Sequence, residues 1–215
     1  MSRADVAEAD TAGAILAAAR SCLLSDGYAG LSTRKIAQQA GVPLSQVHYH
    51  FGSKRAMVLA LLEAENRRRL ARQVAMYSQD VRLSRRYEQA CDFLEDDLES
   101  GFVRVLQEMI AAGWSTPDIA EAARAILAGW YELLTEVATE AAEMFGGLGP
   151  FAPVELATLI GNAFIGSESM LLLGFDRKQM PIRSSLRRVG ELIRLAEDRA
   201  AVATRNGAKA GEGMS

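Results

Sequence analysis

Residues 27–55, GYAGLSTRKIAQQAGVPLSQVHYHFGSKR, constrain this chain more than any other stretch. Their pattern predicts two short helices joined by a tight turn. Ser32 stands where a hydroxyl can accept an unpaired backbone N–H at a helix start. Ile36, Ala37 and Ala40 then recur at the spacing of a buried helical face. Gly41 suits the left-handed backbone that follows a helix C-terminus. Pro43 suits the first turn of the next helix, where its missing N–H would have no partner anyway. On that second helix Val47 and Phe51, four apart, face inward, which leaves Leu44, Ser45, His48 and Tyr49 outside. A helix offered this way fits the major groove of DNA, with its N-terminal residues at the base edges. The alternative is an ordinary three-helix bundle with a polar surface.

Charge separates the two readings. The whole chain of 215 residues has a net charge of −3, which taken alone argues against a nucleic-acid partner. Its distribution argues the other way. From Arg20 to Arg72 nine Lys or Arg stand against three Asp or Glu, while Gln73 to Ser215 holds fourteen basic and twenty-one acidic residues. A basic head on an acidic body suits a protein that places one end on phosphates. Within the head, Arg34 can reach a guanine as a bidentate donor, Ser45 and Gln46 can bond base edges or phosphate, and Leu44 can meet a thymine methyl. Thr33, His50 and Lys54 are better placed for backbone phosphates, which set register rather than sequence.

Gly27-Tyr28, Ser32-Thr33-Arg34-Lys35-Ile36-Ala37, Ala40-Gly41-Val42 and His50-Phe51-x-Ser53-Lys54 occur in an order and spacing that resemble the helix-turn-helix of TetR-family transcriptional regulators. One departure is His48, where the family usually carries Tyr; Tyr49 follows directly. The resemblance implies an all-α fold. A three-helix helix-turn-helix domain would span 8–56, with the motif at 32–51. A larger helical ligand-binding and dimerisation domain would span 57–203, and a disordered tail 204–215. It further implies a homodimeric regulator, a repressor released from a palindromic operator by a small molecule. DNA contacts would fall at Thr33, Arg34, Leu44, Ser45, Gln46, Tyr49 and Lys54, with His48 and His50 on the same surface.

The rest of the chain also reads as helical, with no long alternation of apolar and polar residues. A first helix is expected over Thr11–Leu24. Ser53 caps a long helix over Lys54–Tyr77, buried through Met57, Val58, Leu61, Leu62 and Ala64. Arg67, Arg68, Arg69 and Arg72 on it read as a solvated face. One helix is expected over Arg85–Ala112, one over Asp118–Phe145 with a possible break at Gly129, and two more opened by Pro153 and Pro181. The acidic stripe Glu88, Asp92, Glu95, Asp96 and Glu99 reads as another solvated face.

Composition narrows the function. Nearly half the residues are apolar, enough for a sizeable core. No uninterrupted apolar run reaches the length of a membrane span, and the acidic N-terminus lacks a signal-peptide core, so a cytoplasmic protein is expected. Cys22 and Cys91, each inside an expected helix, read as reduced buried thiols. His48 and His50 are the only histidines, and two His at i, i+2 point in different directions, so they cannot share a metal. No catalytic triad can be built without using the helix-turn-helix, and no phosphate-cradling glycine motif exists. No cofactor and no enzymatic activity are expected.

Body residues are assigned by helix face. Phe102, Met109, Trp130, Tyr131 and Phe164 belong to a set of large side chains that can line a small-molecule pocket, with Glu168 either facing that pocket or edging a subunit interface. Gly161, Gly166 and Ser169 would let helices approach closely. Leu172, Leu186, Val189 and Ile193 add apolar surface for a dimer built from the last two helices. Two other functions remain open from residues alone: a DNA-binding regulator with no small-molecule inducer, and a helical carrier or enzyme with a vestigial head.

Overall fold

The computed structural model describes the backbone of residues 3–175, 178 and 180–212, with side chains from residue 8 onward except at 9, 204 and 207–212. Among these residues the chain forms nine helices and no strand: α1 (Arg3–Gly30), α2 (Thr33–Ala40), α3 (Leu44–Phe51), α4 (Lys54–Tyr77), α5 (Leu83–Glu99), α6 (Phe102–Gly113), α7 (Pro117–Phe145), α8 (Pro153–Leu172) and α9 (Ile182–Glu212). The fold is all-α, with an N-terminal helix-turn-helix followed by a helical C-terminal part. None of these helices is long and apolar enough to cross a membrane.

Two compact units emerge. The first comprises residues 1–69 and 100–127, the second 70–99 and 128–215. The first unit thus takes in α6 and the start of α7 as well as the stretch expected to form the head. Two local contacts explain why. α1 breaks at Gly27 (φ 69°, ψ 175°). The next amide, Tyr28 N–H, has left the helical ladder and donates instead to Glu108 Oε2 of α6 at 3.2 Å. At Gly101 a Cβ would lie 2.6 Å from Leu24 Cδ2 of α1, so only glycine lets the chain pass there. Ile15, Leu23, Ile36, Val47, Met57 and Leu62 fill the core between these helices, each at 1 % exposure or less.

Gly101 also corrects an expectation. The apolar stripe through Leu94, Leu98, Val105 and Met109 predicts one helix over Arg85–Ala112, but the chain turns at Gly101 (φ 78°) and starts α6 afresh. Periodicity continues across the turn because both segments bury their stripes. Conversely, α7 runs unbroken through Gly129, where the loss relative to Ala is only about 1 kcal/mol. Pro43 sits one place ahead of α3 as its N-cap residue rather than within its first turn.

The second unit is held by charge as well as by apolar packing. Arg187 donates to Asp92 at 2.7 Å, Arg183 to Glu95 at 2.9 Å, and Arg82 to Glu197 and Asp198 at 2.9 and 2.6 Å. Asp92 and Glu95 of the acidic stripe of α5 are therefore partners of arginines on α9, while Glu88 pairs with Arg85 one turn away and Asp96 with Arg72 of α4. Two of the four arginines in the basic run of α4 are reassigned in the same way, while Arg68 stays exposed. Arg72 lies 4.0 Å over the Phe93 ring and bonds Asp97 at 2.8 Å, while Arg69, in the first unit, lies 3.5 Å over Phe102. Arg67 keeps the exposed character expected of it, paired only with Glu63 one turn away. Arg86, 5 % exposed, donates to the Tyr77 carbonyl and to both oxygens of Glu140.

The expected tail over 204–215 differs in the structure. α9 continues to Glu212, and 213–215 lie outside the described residues. Ala-rich sequence extends a helix that is already nucleated, and isolated glycines do not suffice to stop it.

Candidate functional site

The turn between α2 and α3 is built as its residues dictate. Gly41 takes the left-handed backbone (φ 68°, ψ 27°), and its N–H bonds back toward Ala37 and Gln38. Ile36, Ala37 and Val47 are buried. That burial turns the remaining side chains outward. Arg34, Ser45, Gln46, His48 and Tyr49 are exposed, and Thr33, Leu44, His50 and Lys54 are half-buried. Phe51, expected to face inward, is half-buried. All nine residues predicted for DNA thus lie on α2, α3 and the first residue of α4, with accessible surface.

Their surroundings differ. Arg34 forms no ion pair with any described residue, whereas the adjacent Lys35 is tied to Asp26 at 2.5 Å. That bond, with a further one from Ser25, holds the Asp26 carboxyl below its ordinary 3.8. His48 Nδ1 lies 3.2 Å from the Gly52 carbonyl, and Gly52 N–H returns a bond to the His48 carbonyl at 2.9 Å. Tyr49, 70 % exposed, donates its hydroxyl to Glu8 of α1 at 3.1 Å, and this bond raises its pKa. Lys54 Nζ stands 4.8 Å over the ring of Tyr28, so the break at Gly27 presents the ring that supports this cation.

Two helix starts behave differently. Ser53 Oγ accepts Ala56 N–H at 3.1 Å and caps α4 as expected. Ser32 has the extended backbone of a cap residue (φ −124°, ψ 126°), but its hydroxyl makes no capping bond. The first-turn amides of α2 are left to other partners.

The body residues fall into separate groups. Phe102 and Met109 are core residues of the first unit at 2 % and 0 % exposure. Trp130, Tyr131 and Phe164 form an aromatic cluster in the second, with centroids 5.4 Å apart for Trp130–Tyr131 and 6.3 Å for Trp130–Phe164. Burial and the nearby Glu168 carboxylate raise the Tyr131 hydroxyl, which donates to Asn162 at 2.7 Å. Glu168 is buried at 6 % exposure. Gly161 lies under Tyr131, where a Cβ would come within 2.3 Å of the ring. Its small size serves α7–α8 packing within the chain. Leu186 is buried in the chain as well, whereas Gly166 and Leu172 are exposed and Ser169, Val189 and Ile193 are half-buried.

A cavity of about 270 Å³ opens in the second unit between α5, α7, α8 and α9. None of the six residues expected to hold a ligand lines it. Tyr77, Tyr87, Leu134, Ala138, Ala157 and Ile193 are among those that do. In the sequence these residues do not stand apart from a core: Tyr87, Cys91 and Leu94 recur simply as a buried helical face. Both cysteines are free and buried. Burial pushes the Cys91 thiol up to about 11.

Comparison with known proteins places these features. Residues 15–61 match the family model of bacterial regulatory proteins, tetR family. No curated protein matches in sequence. Solved structures share the fold over most of the chain. A TetR-family transcriptional regulator from Agrobacterium tumefaciens is 18 % identical, with 86 % of this chain and 97 % of that one covered at a TM-score of 0.72. The transcriptional regulator FadR from Bacillus subtilis, solved in complex with stearoyl-CoA, is 16 % identical, with 84 % and 96 % covered at 0.64. A Saccharomonospora viridis protein solved in complex with choline is 21 % identical, with 85 % and 94 % covered at 0.70. At these identities the likeness carries the fold.

Proposed function

We propose that this chain, whose residues 15–61 match the family model of bacterial regulatory proteins, tetR family, is a sequence-specific DNA-binding regulator of transcription. The observation that carries this reading is the surface of α2 and α3, where burial of Ile36, Ala37 and Val47 turns Arg34, Ser45, Gln46 and His48 outward together. Arg34, without an ion-pair partner among the described residues, is the base reader. Ser45 and Gln46, at the start of α3, reach base edges, and Leu44 meets a thymine methyl. Thr33 and Lys54 hold phosphates at the starts of α2 and α4, where unpaired amides and the helix dipole favour an anion. His48, Tyr49 and His50 complete the surface. DNA reading resides in 8–56, and dimerisation and ligand binding in 57–203.

The working form is a cytoplasmic homodimer. Val154, Leu159, Leu172, Leu192 and Leu195 on α8 and α9 are exposed apolar side chains at 41 % or more, which a two-fold four-helix contact would bury. Two reading helices then meet half-sites roughly 34–36 Å apart, or a multiple of that, on a palindrome. The regulator is a repressor, and a small molecule releases it by binding the DNA-free state more tightly than the DNA-bound one. The stearoyl-CoA and choline complexes of structural neighbours support a ligand-holding body.

The test is binding of the full-length protein to DNA flanking its own gene at two salt concentrations, with a scrambled duplex as control. Tight binding that needs the palindrome and falls steeply with salt is expected. Equal binding to the scrambled duplex would overturn the reading.

A further inference from the structure

Lys54, which opens α4, differs from Lys35 of α2 in what holds it. Lys35 is tied to Asp26 at 2.5 Å, which neutralises it inside the chain. Lys54 pairs with no carboxylate among the described residues, and its ammonium stands 4.8 Å over the ring of Tyr28. A ring attracts a cation through its quadrupole without neutralising it. Such a support fixes where the charge stands and leaves it whole for an anion from outside.

The direction of that ring is set by the break in α1. Gly27 has φ 69° and ψ 175°, a backbone open in practice only to glycine. Past the break the Tyr28 amide donates to Glu108 Oε2 of α6 at 3.2 Å. The second carboxylate oxygen packs against the break itself: a Cβ on Gly27 would lie 3.2 Å from Glu108 Oε1. Glu108 is half-buried and forms no ion pair with any described residue. A carboxylate with reduced hydration holds the donor it has. Glu108, the Tyr28 amide, the Tyr28 ring and Lys54 thus form one chain of contacts, all within the first unit.

We infer that Tyr28 and Glu108 are positioning residues for the phosphate contact of Lys54: Glu108 holds the Tyr28 backbone, and the Tyr28 ring holds the ammonium where a phosphate oxygen meets it. The carboxylate by itself repels a phosphate, so any favourable effect of Glu108 on DNA binding runs through Tyr28. That Lys54 meets a phosphate rests on the regulator reading above; that Glu108 and Tyr28 fix its place does not.

The experiment reads Lys54 twice in the full-length protein. Without DNA, the side-chain ε-methylene protons of Lys54 are followed by NMR, which selective labelling resolves because the chain has four lysines. They are expected upfield of an exposed lysine, as protons over an aromatic ring are. Tyr28→Leu and Glu108→Ala should lose that shift. Tyr28→Phe and Glu108→Gln, which keep the ring and the acceptor oxygen, should retain it. With DNA, a random-sequence duplex is titrated at several salt concentrations, since a phosphate contact is blind to sequence. Glu108→Ala should bind about two- to fivefold more weakly than Glu108→Gln, the factor an exposed cation–ring contact implies. Both variants lack the same charge, so the ratio isolates the bond to Tyr28. In a Lys54→Ala background the two should bind alike. Urea unfolding checks that each variant is folded, and if Glu108→Ala is not, Tyr28→Leu against Tyr28→Phe makes the same comparison. An unshifted Lys54 signal in the wild type, equal binding of the paired variants, or the same ratio without Lys54 would each overturn the assignment. Failure here is separable from failure of the regulator reading. A Lys54 signal that depends on Glu108, in a chain that prefers no palindrome, contradicts only the regulator. A chain that reads its palindrome equally well with Glu108→Ala and Glu108→Gln contradicts only the positioning.

Discussion

Arg34 of the head and five arginines of the body are used in opposite ways, although Arg20 and Arg55 of the first unit are paired with Glu65 and Asp118. On the head, Arg34 projects from α2 without an ion pair among the described residues, and its neighbours are polar and exposed. In the body, Arg72, Arg82, Arg86, Arg183 and Arg187 are each matched to a carboxylate. Overall composition does not reveal this difference. A cation that must meet phosphate or a base edge has to be left available, whereas one that joins two helices is used up within the fold. Arg34 is therefore left available at the surface. Arg183 and Arg187 of α9 instead join α9 to α5, although a count of charges does not tell them from Arg34.

The largest effect that would sharpen this contrast is on Arg86. Arg86→Ala removes a 5 % exposed guanidinium that serves the Tyr77 carbonyl and Glu140. Glu140 is 43 % exposed on its own side chain and can rehydrate, so the expected loss is at the lower end for a buried pair, about 3 kcal/mol by urea unfolding. A loss below about 0.5 kcal/mol, the range of ordinary surface changes, would show that the body's arginines are no more structural than the head's. Arg34→Ala is the counterpart. Stability should stay within about 0.5 kcal/mol of wild type, while operator affinity falls by roughly 1–3 kcal/mol with relaxed specificity at one base pair. Lys54→Ala should weaken all duplexes alike and reduce the salt slope by about 0.9. Identical behaviour of the two variants on matched and scrambled DNA would dissolve the distinction between base reader and phosphate holder.

The two helix starts offer a smaller test inside the head. Ser53→Ala deletes a capping bond and should cost about 1 kcal/mol. Ser32→Ala deletes none and should leave stability nearly unchanged, yet lower DNA affinity if the amides of α2 meet a phosphate. Denaturant midpoints for both variants, read beside their DNA titrations, decide whether the uncapped start is a binding feature.

Acid provides the smallest comparison. Partial burial raises the Glu197 carboxyl, but the bonds from Ser84 and the pairing with Arg82 outweigh it and leave the group below its ordinary 4.5. A depressed folded pKa means stability that is present above 4.5 and lost as the pH falls through the folded value. The stability gap between wild type and Glu197→Gln should therefore be open at neutral pH and shrink between about pH 5 and about pH 3. Asp26, also depressed, through its bond with Lys35, is exposed on the head. Asp26→Asn should show a smaller gap, because solvent screens that pair. A larger gap for Asp26 would reverse the ranking of head and body.

What the sequence determined by itself is local. It specified an all-helical chain, the spans of α2 and α4, the turn at Gly41 and the cap at Ser53, because each follows from neighbours within a turn or two of helix. It also specified which residues face outward on the head, since a short amphipathic helix has only one apolar face to bury. The tertiary structure decided the rest. The break at Gly101 depends on Leu24, some eighty residues away in sequence (~77), and Asp92 and Glu95 of the acidic stripe of α5 became ion-paired only when α9 came to lie against it. The body cavity depends on helices from four separate stretches of chain. A cavity is defined by atoms that fail to meet, and periodicity within one helix records only the face that is buried, never what it is buried against.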